Sequence, residues 1–228
     1  MKLFLGGGGG KEDSVELDKK FADSLDLSKP LLYIPIAINT DKHPYSGCLE
    51  WFLDVFSPLG VKNIVMWVED NLKQKQEKDF EQFGGIYIGG GNTFKLLKEL
   101  KAFGTFEILR KLAQKGVPIY GGSAGAIIFA KTVIPALSAD ENLVELTDFS
   151  ALNLVKDYDI WCHYSESLDS TIKSYIDKYG LKKIIVIPEN AGLYITEESI
   201  EAVGQADVKV FEGEKIKTFI ECKRAMRL

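Results

Sequence analysis

The chain has 228 residues, 46% hydrophobic and 27% charged, with a formal net charge of -5. That length suits one sizeable α/β domain, and the acidic balance without a Lys/Arg cluster argues against nucleic acid or an anionic membrane as partner. No apolar run approaches the roughly 20 residues of a membrane span.

The opening run Met1-Lys2-Leu3-Phe4-Leu5 reads as a strand and stops at five glycines, too short for the apolar part of a signal peptide. A helical pattern over 14–25 follows, with Leu17, Phe21 and Leu25 on one face. Next come a strand at 31–36, a helix at 48–56, a strand at 63–68 and a charged helix at 72–83. A strand at 86–88, helices at 92–103 and 105–114 and a strand at 117–120 complete the alternation. Such βαβ alternation predicts an α/β three-layer αβα sandwich with a mostly parallel central sheet. Beyond 155 the chain reads as a strand at 158–162, a helix at 169–178 and a strand at 183–187. Short segments at 192–195, 208–210 and 216–221 then predict an antiparallel C-terminal portion. No linker or repeat interrupts residues 1–228, which read as a single domain. Cys48, Cys162 and Cys222 show neither a disulfide framework nor CxxC metal spacing, which fits a reducing, cytoplasmic setting.

The densest chemical signal is Gly121-Gly122-Ser123-Ala124-Gly125-Ala126. It contains G-x-S-x-G between an apolar strand and the helix-compatible Ile127-Ile128-Phe129-Ala130, the arrangement of a nucleophile elbow. Small neighbours let the backbone turn sharply, so the Ser123 hydroxyl projects from the turn. The five-glycine run at 6–10 lacks both the G-K-[ST] ending of a phosphate loop and a clean G-x-G-x-x-G, so it reads as a tight turn near substrate.

A serine nucleophile needs a base, and the chain has two histidines, His43 and His163. His163 follows the apolar Ile160-Trp161-Cys162 at a predicted strand end and is the preferred base. The acid that orients it is expected in the polar loop Ser138-Ala139-Asp140-Glu141-Asn142, where spacing does not separate Asp140 from Glu141. An oxyanion hole needs two convergent amides. The residue after the nucleophile, Ala124, supplies one, and the turn Gly89-Gly90-Gly91-Asn92 supplies the other, through Gly91 or Gly90.

Together, Gly89-Gly90-Gly91-Asn92-Thr93, Gly122-Ser123-Ala124-Gly125-Ala126 and the later His163 resemble the peptidase E/cyanophycinase family of serine peptidases, which have a class I glutamine amidotransferase-like fold. The resemblance runs from the first strand to about Tyr194. It implies Ser123 as nucleophile, His163 as base, Asp140 or Glu141 as acid, and cleavage of a short peptide after an aspartyl residue without metal or organic cofactor. Asn92 and Glu189 are expected among the substrate contacts, Glu189 through a substrate amino group unless it simply ends a strand. The arginine that binds the aspartyl carboxylate in the dipeptidase branch has no counterpart in 164–173, leaving Lys173 or Lys42 as a point charge. The expected partner is a small peptide, with homodimer formation left open.

Three other readings compete with this one. A glutamine amidotransferase would carry cysteine at position 123. An α/β-hydrolase esterase shares the order serine, acid, histidine, but normally places its acid and histidine late in the chain. A non-catalytic protein binding a small ligand or partner on the same fold is the alternative from outside enzymes.

Overall fold

The computed structural model describes residues 1–213, 215–220 and 225–227. In chain order the first half carries β1 (Lys2–Gly6), α1 (Val15–Ala22), β2 (Leu31–Ile34), α2 (Tyr45–Phe56), β3 (Ile64–Met66), α3 (Glu69–Leu72), β4 (Gly85–Ile88), α4 (Thr93–Ala102) and α5 (Thr105–Gln114). The second half carries β5 (Pro118–Gly122), α6 (Ala124–Ile127), β6 (Asp159–Trp161), α7 (Asp169–Tyr179), β7 (Lys183–Val186), β8 (Ala191–Ile195), β9 (Ser199–Gly204), β10 (Val208–Glu212), β11 (Lys215–Ile220) and β12 (Ala225–Arg227). Cys222 and Glu221, the last residue of the predicted 216–221 segment, lie outside the described residues.

Strands join in the order β12-β9-β8-β1-β5-β4-β2-β3 in a central sheet, and β11-β10-β7-β6 in a second sheet. From β1 to β3 every pairing in the central sheet is parallel, while β8, β9 and β12 add antiparallel strands at the other edge. This is the predicted mostly parallel α/β sheet with an antiparallel portion. Periodicity does not show that β6 and β7 lie outside the central sheet, in the second sheet, where they pair with each other in parallel.

Alternation along each strand divides the core into two layers. Leu3, Leu5, Leu32, Ile34, Ile86, Ile88 and Ile119 point to the face covered by α4 and α5. Phe4, Tyr33, Tyr87 and Tyr120 point to the opposite face, where they meet Phe21 of α1 with Phe52 and Phe56 of α2. The second face is an aromatic stack: Tyr33 lies 4.1 Å from Phe52 and Tyr87 4.5 Å from Tyr120, centroid to centroid.

Two predicted helices depart from expectation. The 72–83 stretch is not a helix: α3 already ends at Leu72, and only a 3-10 turn, Glu77–Phe80, follows within it. Gln76 is extended, and its amide donates to the Asp79 carboxylate at 2.8 Å, restarting the chain instead of continuing the helix. Leu72 from α3, Phe80 from the turn and Phe83 just beyond it still reach one core. After Ser123, α6 lasts four residues, then tightens into i→i-3 bonds at Phe129 and Ala130 before Lys131 donates to Tyr158.

Candidate active site

The carboxyl ends of β1, β4 and β5 stand side by side, with Gly6 opposite Gly122 and Ile88 opposite Gly121. Functional groups of open α/β sheets gather at such edges. Ser123 sits between the end of β5 and the start of α6, at φ 50° and ψ -112°. A non-glycine residue there stores about 1–3 kcal/mol and persists only when its surroundings over-determine it. They do so here: the Ser123 amide donates to Gly6 O at 3.2 Å, and its carbonyl accepts from Ala126 at 2.8 Å and Ile127 at 3.0 Å. A Cβ on Gly121 would overlap the Gly125 carbonyl, so the elbow closes only around glycine. The turn aims Ser123 Oγ at His163 Nε2, 2.8 Å away.

His163 arrives from the second sheet. It stands two residues past β6, and its amide is pinned to Gly7 O at 2.8 Å. Gly8, at φ +105°, faces the imidazole so closely that any Cβ would overlap the ring. That contact is why the glycine run continues beyond β1: it makes room for His163 rather than for a phosphate. His43 does not reach the hydroxyl as a hydrogen-bond partner among the described contacts; it lines the cleft on both sides of Ser123.

The carboxylate on His163 is not one of the two expected. Glu189 Oε1 lies 2.8 Å from His163 Nδ1. Because β6 and β7 are parallel with Trp161 opposite Val186, the segments leaving their ends bring residues 163 and 189 together. Asp140 instead accepts the Thr93 amide at 2.8 Å, covering the N-terminus of α4. Glu141 is exposed, and its carbonyl accepts from Asn92 Nδ2 at 2.8 Å. Asn92 is itself the α4 cap, with Oδ1 accepting from the Lys95 amide at 2.9 Å, so its side chain is engaged in structure and does not line the cleft. Glu189, expected among the substrate contacts, is hydrogen-bonded to the histidine and borders a cavity with Ser165 and Asn190. The signal that could have found it is the shared end of two parallel strands.

Next to Ser123, Ala124 is the first residue of α6, so its amide has no acceptor within the helix. Across the turn, Gly89 donates to Ile34 O and Asn92 to Ala37 O. Between them the amides of Gly90 and Gly91 donate to no backbone acceptor among the described residues. Gly90 lies against the nucleophile, since a Cβ there would be 3.3 Å from Ser123 Cβ. Cys162, buried under the elbow, has its thiol pushed up to about 12 by burial, and it donates to Gly6 O and Ser123 O at 3.7 Å. It is a neutral prop, not a second nucleophile.

Ser123 lies between two cavities. One, of about 490 Å³, is bordered by Gly90, Gly122, Lys42, His43 and an aromatic wall. The other, of about 820 Å³, is bordered by His163, Gly91, Asp140, Leu168 and Thr171. Lys42 is the one lysine or arginine on either lining, and Lys173 lies on neither. Among the described residues no group of three or more His, Cys, Asp or Glu side chains is placed to hold a metal ion, and no helix is long and apolar enough to cross a membrane.

An α/β sheet with a strained serine between strand and helix, a histidine on that serine and a carboxylate on the histidine defines a serine hydrolase site. Comparison with known proteins narrows the class: the profile of Peptidase family S51 matches residues 3–203, and the chain belongs to that family. Peptidase E of Pasteurella multocida (strain Pm70) is 26% identical over 181 residues, covering 74% of this chain and 76% of its own. Peptidase E of Actinobacillus pleuropneumoniae serotype 3 (strain JL03) is 28% identical with the same coverage. Among solved structures, a candidate peptidase E protein from Listeria monocytogenes EGD-e superposes with a TM-score of 0.70 at 24% identity, over 90% of this chain and 98% of that one. A peptidase from an acI-B1 Actinobacterium gives 0.74 at 17% identity, over 100% and 96%. These two likenesses agree with the class I glutamine amidotransferase-like fold. The chain is a serine-type peptidase.

Proposed function

We propose that this protein hydrolyses the peptide bond of a short peptide through an acyl-enzyme on Ser123, with His163 as general base and Glu189 as the acid that orients it. The observation that carries this reading is the unbroken relay from Ser123 Oγ to His163 Nε2 and from His163 Nδ1 to Glu189, each link 2.8 Å. Ser123 Oγ attacks the carbonyl carbon while its proton passes to His163 Nε2. The negative charge that forms on the carbonyl oxygen is received by the amides of Ala124 and of Gly90 or Gly91. The C–N bond then breaks, and His163 returns the proton to the departing amine. Water, deprotonated by the same histidine, attacks the ester and frees the acid and Ser123.

Glu189 and His163 remain about half exposed, with side-chain accessibilities of 58% and 46%. At that exposure the pair contributes little to folding; its value is to hold the ring in one tautomer and to stabilise the imidazolium. Selectivity for an aspartyl residue has one cationic support in the cleft, Lys42. A lysine point charge replaces a guanidinium clamp poorly, so a panel of Asp-X, Glu-X, Asn-X and neutral dipeptides measures this preference directly.

Fluorophosphonate labelling tests the nucleophile. The wild-type chain is expected to label at a single site, and Ser123→Ala to abolish both labelling and peptide turnover. An unreactive Ser123 in folded protein would instead favour a non-catalytic binding role on this fold.

A further inference from the structure

We propose that the 490 Å³ cavity beside Ser123 takes one large apolar or aromatic side chain of the substrate, from the residue on one side of the scissile bond. The inference rests on the reading of Ser123 as nucleophile.

The cavity is continuous with the reacting centre, because Ser123, Gly122 and Gly90 form part of its lining. Its walls are chiefly carbon: Tyr33, Ile38, Pro44, Cys48, Trp51 and Tyr87. No aspartate or glutamate borders it, so a cationic side chain would lose its water without gaining a partner. The volume falls in the roughly 300–1,000 Å³ range of small-molecule sites.

The wall is also pre-formed. Tyr33 stacks on Phe52 at 4.1 Å and meets Tyr87 edge-on at 5.7 Å, and Tyr87 stacks on Tyr120 at 4.5 Å. Tyr33 and Tyr87 are held by the core behind them, while Trp51 remains 39% exposed at the mouth. A large exposed indole beside a cleft is free to cover an incoming apolar group.

Lys42 and His43 are the basic side chains on the lining, and both are exposed; Cys48, Tyr33 and Tyr87 are its other titratable groups. An exposed lysine changes the binding of a carboxylate by about a few-fold. Filling carbon walls with a Leu- or Phe-sized group is worth about tenfold to a hundredfold. The larger effect sets the preference.

Gly47 supplies a direct handle. It lies in α2 on the cavity lining, and a Cβ built there meets nothing within 4 Å. A leucine at this position adds bulk on the cavity lining without a clash at its Cβ.

The test is a dipeptide matrix carrying Gly, Ala, Leu, Phe, Asp, Glu or Lys on each side of the bond. It is read as kcat/KM and as protection of Ser123 from a fluorophosphonate. At one of the two positions, Leu or Phe is expected to exceed Gly by at least about tenfold. Gly47→Leu is expected to erase most of that ratio, and Trp51→Ala to reduce it, in protein with unchanged thermal melting and a labelled Ser123. A flat profile, an acidic or basic residue preferred at both positions, or a ratio unmoved in Gly47→Leu would overturn the inference while leaving the catalytic reading intact. A wild-type Ser123 that neither labels nor turns over any peptide would remove the catalytic reading, and this inference with it.

Discussion

His163 Nδ1 and Glu189 Oε1 meet at 2.8 Å across 26 residues of sequence because the strands that carry them, β6 and β7, run parallel and end together. His163 and Glu189 therefore form one unit at the end of the second sheet, while Ser123 belongs to the central sheet. What joins the sheets at this point is the glycine run after β1: Gly7 O accepts from the His163 amide, and the Gly7 amide donates to Ala191 O at the start of β8.

That junction makes Gly8 a sensitive position. Its φ of +105° disfavours any side chain, and the new Cβ would fall on the imidazole. Gly8→Ala is expected to move His163 off Ser123 Oγ and to lower kcat by about a hundredfold or more. Steady-state kinetics with a melting curve separate this from unfolding; an active Gly8→Ala enzyme would mean that the ring and the glycine are not in contact.

The loop carrying Lys42 and His43 has its own strut. Lys95 of α4 donates to Ile38 O at 3.2 Å and to Glu69 at 3.1 Å, and Glu69 accepts the Tyr45 hydroxyl. Burial raises the Tyr45 hydroxyl well above its usual range, so it stays a neutral donor. Lys95→Met is expected to loosen the loop, raising KM several-fold with a smaller change in kcat, at a stability cost of about 1 kcal/mol. Michaelis curves decide it: an unchanged KM would show that the strut does not position the cleft.

Asp140 is expected to matter for stability more than for chemistry. Its carboxylate accepts the first amide of α4, and Asp140→Ala removes that cap. The cost should be about 1 kcal/mol, seen as a Tm lower by about 2–4 °C. An unchanged Tm would mean that the Thr93 amide finds another acceptor.

A buried carboxyl beneath the glycine run gives the fold a pH dependence of its own. Asp18 is 3% exposed, and burial raises its pKa to about 6, against hydrogen bonds from Ser14 and Tyr120 that pull the other way. Between about pH 4 and pH 6 the native state holds this proton more tightly than the unfolded chain, so stability falls as pH rises through that window. The loss is on the order of 2–4 kcal/mol from this group. Asp18→Asn should flatten that part of the curve, making the variant's advantage grow with pH up to about 6 and then level off. Denaturant melts at a series of pH values measure it, and parallel curves would refute the assignment.

What could be read from sequence was local. The elbow is written in adjacent residues, since a Cβ at Gly121 or Gly125 would overlap backbone carbonyls around Ser123. His163 stood out because only two histidines compete and one follows an apolar strand. The helix over 105–114 was legible to the residue, because its apolar positions keep one face toward the core. The charged stretch at 72–83 misled because its propensity is helical while its buried residues come from separate pieces: Leu72 ends α3, Phe80 closes a 3-10 turn and Phe83 follows it. The carboxylate on His163 was hidden for a different reason. Asp140 and Glu141 stand in the polar loop that follows the serine in sequence, whereas Glu189 becomes a neighbour of His163 only through the pairing of β6 with β7, which periodicity does not specify.

The most direct test of the Ser123–His163–Glu189 account compares Glu189→Gln with Asp140→Asn on one dipeptide whose cleavage depends on Ser123. Glu189→Gln is expected to lower kcat by about a hundredfold or more, because the ring loses the carboxylate that sets its tautomer, while Asp140→Asn keeps kcat within about tenfold. A near-normal Glu189→Gln enzyme beside a crippled Asp140→Asn enzyme would contradict the account and return the catalytic acid to the loop after α6.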